Sequence, residues 1–256
     1  MTGDFVWHEL RTTDAAGALA FYSHVVGWHG AGSNVPGHTM LQSDGVPVAG
    51  LLALPSEALA NGAGSAWVGY VVVTDADAAT ASALADGATL RAGPMDIPGF
   101  GRCATITDPH GAPLALVQTS LTSPASTGQY TPGRVGWCEL VTTAQDEALA
   151  WYAARFGWME AGAVDMGPRG TYQLFANGGP AFGGIMPGQG RPHWLFYFTV
   201  PDIDAAVARV LIAGGQLTQG PHPVPGGSQI LHGLDPQGAR FALVQGPPPP
   251  ASLPPG

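Results

Sequence analysis

The chain has 256 residues, of which 45% are hydrophobic and only 11% are charged, and its formal net charge is −9. All nine basic residues are arginine, which excludes Schiff-base chemistry on a lysine, and they form no basic cluster of the kind that nucleic-acid binding requires. No apolar run approaches the roughly 18 residues of a membrane-spanning helix, and the first residues lack the pattern of a secretory signal.

The most prominent feature of the sequence is an internal duplication. Residues 5–29 recur at 135–159, and residues 67–118 recur at 194–245. In the second pair an offset of 127 residues holds without a gap, and 23 of the 52 positions are identical. A repeat of this length is typical of a duplicated domain rather than of a solenoid of small units. Positions kept in both copies therefore belong to a shared fold or a shared site.

The predicted secondary structure is the same in both copies. In copy one the patterns predict, in chain order, a strand over 5–12, a helix between Asp14 and Gly27, strands over 38–43, 46–53 and 67–73, a helix over 76–86 that closes at Gly87, and a final strand over 112–118. Asp14 and Asp75 precede the two helices and are suited to cap them, because an aspartate side chain accepts hydrogen bonds from the first free amides. Each half of a copy thus contains a strand, a helix and about three strands, and this unit occurs four times.

The domain boundaries follow from the repeat. We predict domain 1 over residues 1–120 and domain 2 over residues 134–246. The segment over 121–133 is polar and carries proline and glycine, which is typical of a linker. Residues 247–256 form a proline-rich tail, which more often is a solvated end than a ligand for another domain.

Several motifs carry a family resemblance. FY-x4-GW in the first helix (WY-x4-GW in copy two), V-x-x-x-D-x-D before the second helix and the closing D-P-x-G-A turn resemble the vicinal-oxygen-chelate superfamily. That superfamily contains glyoxalase I, the bleomycin- and fosfomycin-resistance proteins and the extradiol dioxygenases. The duplication, W-x-E-L-x-T-x-D, P-M-D-I-P-G-F-G-R and D-P-H-G-A are most similar to a two-domain, glyoxalase-like group that includes a mycobacterial culture-filtrate antigen.

The resemblance implies an α+β fold of four βαβββ modules. Two modules would form one open, curved, mostly antiparallel sheet in each of two tandem glyoxalase-like domains, with helices outside and a cleft on the concave face. Metal-dependent members take ligands from the first and last strands of each module. Alignment places the following residues at those positions: Trp7, Gly69 and Ala115 in copy one, and Trp137, Phe196 and Ala242 in copy two. None of them can bind a metal, so we expect no standard metal site and no cofactor.

Two glutamates are the candidate catalytic residues. Glu9 and Glu139 are two of only five glutamates, and both lie in the repeated W-x-E-L. A carboxylate on a packed strand is unfavourable unless it is paired, so its retention indicates a general base or polar anchor whose pKa burial would raise. The alternative is a structural carboxylate that binds backbone amides or an arginine and was copied by the duplication.

The alternation of the first strand assigns its side chains to two faces. It predicts His8 with Val6 and Leu10 on the helix-packed side and Trp7 with Glu9 on the other. His8 is replaced by cysteine in copy two, and the eight histidines show no metal-ligand spacing.

Aromatic and polar positions near the two glutamates complete the predicted site. The predicted ligand-binding residues are Trp7, Trp137, Trp67, Trp194, His38, Gln42 and Tyr172. By residue count His38 and Gln42 correspond to Tyr172 and Ala176 in copy two. The segment before Trp67 is seven residues longer than its partner, and the first half of copy two is four residues longer around 161–171. We therefore expect the two clefts to differ.

The predicted function is that of a glyoxalase/bleomycin-resistance-like protein that binds a small molecule, lacks the standard metal site and acts on a small carbonyl compound with a cleft glutamate as base. One alternative is a protein that sequesters a drug or metabolite without catalysis. A second is a metal-dependent lyase or dioxygenase with rearranged ligands. We expect a small-molecule partner, no nucleic acid and no membrane, a monomer or weak homodimer, and, since the two cysteines indicate no disulfide framework, a cytoplasmic location.

Overall fold

The structure of the chain is a computed structural model, which describes residues 3–120 and 128–248. Domain 1 contains β1 (Phe5–Thr12), α1 (Ala15–Val26), β2 (His29–Gly32), β3 (His38–Ser43), β4 (Val46–Ala53), α2 (Ser56–Ala60), β5 (Ala66–Val72), α3 (Ala76–Ala85), β6 (Thr89–Ile97), β7 (Gly101–Thr107) and β8 (Pro113–Gln118). Domain 2 contains β9 (Val135–Thr142), α4 (Gln145–Phe156), β10 (Met159–Asp165), a 3-10 helix (Gly167–Arg169), β11 (Thr171–Ala176), β12 (Gly183–Pro187), β13 (His193–Thr199), α5 (Ile203–Ile212), β14 (Gln216–Pro223), β15 (Gln229–Leu234) and β16 (Arg240–Gln245). Part of the predicted linker, at 121–127, and the predicted tail from residue 249 lie outside the described residues.

Each domain forms one open eight-stranded sheet. The strand order is β2-β3-β4-β1-β5-β8-β7-β6 in domain 1 and β10-β11-β12-β9-β13-β16-β15-β14 in domain 2. In domain 1 only the pairs β1–β4 and β5–β8 are parallel, and the other five pairs are antiparallel. The two modules of a domain meet where β1 pairs with β5. The predicted α+β fold of four modules in two tandem domains is confirmed.

Local sequence signals account for most element boundaries. The side chain of Asp14 accepts a hydrogen bond from the Gly17 amide, and Asp75 and Asp202 cap α3 and α5 in the same way. Helix α1 ends at Gly27, whose φ of 87° lies in the left-handed region that favours glycine. The short elements β2 and α2 were not predicted. Helix α2 occupies the longer segment of copy one and buries none of its residues, so this insertion adds a surface helix.

A bulge in β1 corrects one predicted face. The register of β1 against β5 shifts between Phe5 and Trp7, so two consecutive residues oppose one on the partner strand. Val6 therefore packs in the same apolar cluster as Trp7, and Phe5 takes its place on the side of His8. The prediction for Val6 was wrong, because strict alternation does not hold across a bulge.

The two sheets share one apolar core through α1, α4, α5 and the central strands. Two matched hydrogen bonds cross it. The Tyr22 hydroxyl donates to Asp235 at 3.1 Å, and the Tyr152 hydroxyl donates to Asp108 at 2.9 Å. Asp108 also accepts amides of its own turn, so one aspartate closes the D-P-x-G turn and binds the helix of the other domain. The repeated turn therefore holds the domains together.

The helices of the described segments are short. Helices α1 and α4 are the longest, at 12 residues each, and none of the described helices is long and apolar enough to cross a membrane.

Candidate functional site

The central strands of domain 2 form the floor of an open cavity. Alternate residues of β9 face either the interdomain core or a cavity of about 450 Å³ on the other side of the sheet. The lining is largely apolar and aromatic and includes Trp137, Val141, Val164, Met166, Tyr172, Leu174, Met186, Leu195, Tyr197, Ile230 and Phe241. A cavity of this size and character is typical of small-molecule sites.

Glu139 lies on this floor at the end of a hydrogen-bonded chain. The Tyr197 hydroxyl donates to Oε2 of Glu139 at 3.1 Å and lies 2.8 Å from Nε2 of His232. Because the hydroxyl has one proton, which it gives to the carboxylate, its oxygen accepts from His232 when the imidazole is protonated on Nε2. The groups thus connect His232 through Tyr197 to Glu139.

A second tyrosine approaches the same carboxyl from the neighbouring strands. The Trp137 indole donates to the Tyr172 hydroxyl at 2.7 Å, which leaves the Tyr172 proton free for Glu139. Gly184 lies opposite Glu139 on β12, and a Cβ there would clash with the Tyr172 ring. Glycine at this position therefore allows the ring to cross the strand and reach the carboxyl.

Burial gives Glu139 the electrostatics of a general base. Desolvation raises its pKa to about 7. Hydrogen bonds from Tyr197 and Tyr172 and the charge of Arg169 lower the pKa, but by less than burial raises it. Burial also lowers the pKa of His232 to about 4, so this imidazole is neutral at neutral pH. Near pH 7 the Glu139 carboxyl is therefore divided between its acid and base forms.

The equivalent carboxyl of domain 1 is neutralised by its neighbours. Nε of Arg11 lies 3.3 Å from Oε1 of Glu9, and the Tyr70 hydroxyl donates to the same oxygen at 2.8 Å. Nη2 of Arg11 also donates to Thr105 at 2.7 Å, and Nε2 of His38 lies 3.8 Å from Oε2 of Glu9. Domain 1 therefore shows the structural alternative of a carboxylate that binds an arginine.

The cleft of domain 1 is filled by its own side chains. The ring of Phe100 contacts Trp7 and Tyr70, with ring centroids 6.0 and 5.5 Å apart. Trp7, Glu9 and Tyr70 are only 8%, 7% and 3% exposed. The residue of copy two that corresponds to Phe100 is Gly227, which has no side chain to place over the domain 2 floor.

Three substitutions between the copies thus separate the two sites. Val141 replaces Arg11, His232 replaces Thr105 and Gly227 replaces Phe100 in copy two. Together they remove the cation beside the glutamate, add an imidazole to the tyrosine and leave the cleft open. The two candidate bases are therefore not equivalent: Glu139 faces the domain 2 cavity, and Glu9 is paired with Arg11.

The structure brings some predicted site residues together and separates others. Trp7 and His38 lie at Glu9, and Trp137 and Tyr172 lie at Glu139. The strand registers also show that His38 occupies in copy one the position that Tyr172 occupies in copy two, as the residue count predicted.

The remaining predicted ligand-binding residues lie elsewhere. Trp67 and Trp194 are buried in the interdomain core, where their indoles donate to Tyr22 and Tyr152 at 2.8 and 3.1 Å. Gln42 lies near the end of β3 and, within the described residues, makes no hydrogen bond to the Glu9 cluster. The sequence analysis did not name Tyr197 as a site residue, although the matching position in copy one is also a tyrosine, Tyr70. His232 was missed because the copies differ there.

The donors present do not fit the metal site that the family resemblance implies. Gly69 and Phe196 face the interdomain core, since a Cβ on Gly69 would clash with the ring of Phe196. The second-module positions that face the clefts are instead Tyr70 and Tyr197, which corrects the alignment of these ligand positions by one residue. In the described ranges no group of three or more His, Cys, Asp or Glu side chains is placed to hold a metal. We assign no step to a metal.

Comparison with known proteins identifies the family. The family model of the Glyoxalase/Bleomycin resistance protein/Dioxygenase superfamily matches residues 134–243. The chain is also 33% identical over 246 residues to "Putative glyoxylase CFP32" of Mycobacterium bovis, with 93% of each chain covered. The protein belongs to this superfamily. The resemblance inferred from the repeated motifs is confirmed.

Other known proteins match along most of their length. "Anthracycline biosynthesis protein DnrV" of Streptomyces peucetius is 33% identical over 258 residues, covering 93% of this chain and 92% of the relative. Among solved structures, the Mn(II)-bound glyoxalase from Novosphingobium aromaticivorans has a TM-score of 0.65 at 16% identity, covering 95% and 82% of the two chains. A variant of homoprotocatechuate 2,3-dioxygenase from B. fuscum has a TM-score of 0.66 at 18% identity, covering 93% and 70%. At these identities the two structures establish the fold alone.

Proposed function

We propose that the domain 2 cleft binds a small carbonyl compound with an apolar or aromatic body, and that Glu139 acts there as a general base. The observation that carries the proposal is a carboxyl group with a pKa of about 7 on the floor of an open, largely apolar cavity. A base whose pKa lies near the working pH combines a useful fraction of the ionised form with sufficient basicity.

The neighbouring hydroxyls support proton abstraction next to a carbonyl. The Glu139 carboxylate would take a proton from the carbon adjacent to the carbonyl, and negative charge would develop on the carbonyl oxygen. Tyr172 and Tyr197 both donate to the Glu139 carboxylate before the reaction. Once the carboxyl has taken the substrate proton, the Tyr172 hydroxyl would be released to donate to the carbonyl oxygen, and a donor placed where charge develops stabilises the transition state. His232, bonded to Tyr197, fixes the orientation of that hydroxyl.

The apolar lining supports the choice of ligand body. Trp137, Leu195 and Phe241 line the cavity together with two methionines, and such surfaces bind planar or apolar molecules. One relative is named for anthracycline biosynthesis, so aromatic compounds of that kind belong in the first panel of test ligands.

Hydrogen exchange tests the proposal directly. The wild-type protein, with a panel of aromatic and aliphatic carbonyl compounds in D2O, is expected to catalyse exchange of the adjacent carbon-bound hydrogens, followed by NMR. Glu139→Gln should lower the exchange rate by about 100-fold or more, because it removes the base and keeps the shape of the side chain.

Glu9→Gln is the matched control, and the exchange rate per folded molecule should be unchanged. Equal rates in wild type and Glu139→Gln would show that Glu139 is not the base. Ligand-induced thermal stabilisation without exchange in the wild type would instead identify a binding protein that performs no catalysis.

A further inference from the structure

The domain 2 cavity gathers basic side chains in an acidic protein. The chain carries a net charge of −9, yet among the described residues that line the cavity the only acid is Glu139, whereas two arginines and three histidines line it. These five groups are Arg169, Arg240, His193, His222 and His232.

The five groups lie close enough to influence one another. Arg169 acts on the pKa of both Glu139 and His232, and Arg240 acts on the pKa of His193. His193 and His222 lower the pKa of His232. The two arginines and three histidines therefore surround one cavity rather than lie scattered over the domain. Its positive charge comes from the arginines, because burial lowers the pKa of both His193 and His232.

The two arginines of the lining have no hydrogen-bonding partner for their side chains among the described residues. In the described part of the chain the side chains of Arg169 and Arg240 make no hydrogen bond and no ion pair. Arg11 and Arg102, by contrast, are paired with carboxylates. The guanidinium donors of Arg169 and Arg240 are free to bind a ligand, and guanidinium groups match the planar oxygens of carboxylates.

Copy one contains none of these groups at the matching positions. At the constant offset of 127 residues, the partners of His193, His222, His232 and Arg240 are Ala66, Met95, Thr105 and Pro113. Arg169 lies in the segment that is longer in copy two. The unpaired arginines therefore belong to the open cleft, whereas the arginine of the filled cleft, Arg11, forms an ion pair with Glu9.

We propose that the ligand of the domain 2 cleft is an organic anion, with an acidic oxygen group bound by Arg169 and Arg240 and an apolar or aromatic body in the cavity. This inference rests on the proposed function and adds the substrate class. The ligand would then be a carbonyl compound that also carries a carboxylate or an ionised enol or phenol.

Two fluorescent probes with the same ring system test the inference. 8-Anilinonaphthalene-1-sulfonate is an anion, and N-phenyl-1-naphthylamine is its neutral counterpart without the sulfonate. The wild-type protein should bind the anion about tenfold more tightly than the neutral probe, and the preference should decrease with added salt. The double variant Arg169→Gln/Arg240→Gln should lose this preference and retain its affinity for the neutral probe, and the single variants divide the effect between the two arginines.

Arg191→Gln is the matched control, because Arg191 is exposed in the same domain but does not line the cavity. If both probes bind equally and the double variant changes neither affinity, the anion inference is wrong and the cavity still binds apolar molecules. If neither probe binds, the proposed binding function itself fails. If the preference is lost in Arg134→Gln instead, the anion binds in the interdomain cavity of about 440 Å³ that Arg134 lines, which also overturns the inference.

Discussion

Glu9 and Glu139 occupy the same strand position in two copies of one domain, and their neighbours give them opposite roles. An arginine two residues further along β1 forms an ion pair with Glu9, whereas the equivalent residue of β9 is Val141. A desolvated carboxyl that forms no ion pair is destabilised in its charged form, which is why the pKa of Glu139 rises to about 7. The residue two positions after the glutamate, Arg11 or Val141, thus distinguishes a structural carboxylate from a candidate base.

The raised pKa predicts a specific dependence of stability on pH. In the unfolded chain Glu139 titrates near its ordinary value of 4.5, so between pH 4.5 and 7 the native state binds more protons than the unfolded state. Stability therefore falls as the pH rises through this window, by at most about 3 kcal/mol from this group. We expect Glu139→Gln to gain stability relative to wild type between pH 4.5 and pH 8, as measured by urea unfolding.

Val141→Arg is the control for this prediction, because it restores the ion pair of domain 1 and keeps the carboxyl. Its pH dependence in the same window should also be reduced. A constant stability difference between Glu139→Gln and wild type at pH 4.5 and pH 8 would contradict the assigned pKa.

Among the elements, the loops that follow β6 and β14 decide which cleft is open. Both carry the sequence P-G after a strand, but the next residue is Phe100 in one loop and Gly227 in the other. The Phe100 ring contacts Trp7 and Tyr70 in domain 1, while the domain 2 loop lines the cavity with Val224 and Pro225. The same sheet therefore supports a packed cleft and an open one.

Removal of the Phe100 ring should open the cleft of domain 1. Because the ring is only partly buried, we expect Phe100→Ala to lower the free energy of unfolding by about 2 kcal/mol, less than a fully buried phenylalanine would. Urea unfolding measures the loss, and Phe100→Leu, which keeps part of the contact, should lose less. Hydrogen exchange by the Glu139 site should be unaffected, and reduced exchange in Phe100→Ala would show that the domain 1 cleft takes part in the reaction.

The whole molecule is held together by a core that both sheets share. Trp28 and Trp158 are fully buried in it, and each tyrosine of the first helix of a domain bonds the turn aspartate of the other. Burial raises the pKa of Tyr22 and Tyr152 well above the usual value for tyrosine, so both hydroxyls remain protonated donors. Domains joined in this way should unfold together.

We expect one cooperative unfolding transition for the chain. Tyr22→Phe and Tyr152→Phe each leave a buried aspartate oxygen without its donor and should each lower the free energy of unfolding by about 1–3 kcal/mol. For each of the three proteins, calorimetry and tryptophan fluorescence should agree on a single midpoint, and that midpoint should be lower in the two variants than in the wild type. Two separate transitions in the wild type would show that each domain folds independently.

The expected oligomeric state, a monomer or weak homodimer, stays a prediction.

The repeat and the local signals were sufficient for the elements and the family. Capping aspartates, the glycine at the end of α1 and the period of the strands act over a few residues, so the sequence predicts them directly. The bulge at Val6 was not predicted because it depends on how β1 pairs with β5. The surface helix α2 was not predicted because it lies in an insertion that copy two does not share. The place of Trp67 and Trp194 was also missed, since either face of a sheet can hold a tryptophan.

The sequence by itself determined the duplicated fold, the strand that carries Glu139 and the absence of metal-binding residue types at the expected positions. The tertiary structure decided which glutamate is paired and which cleft is open. Tyr197 reaches Glu139 from a strand 58 residues further along the chain, and His232, 93 residues away, is connected to Glu139 through Tyr197. The Phe100 ring reaches Trp7 across a similar separation. Contacts of this kind depend on how the strands pair. The pKa of Glu139 rises because distant segments bury it and because its strand has Val141 where domain 1 has an arginine.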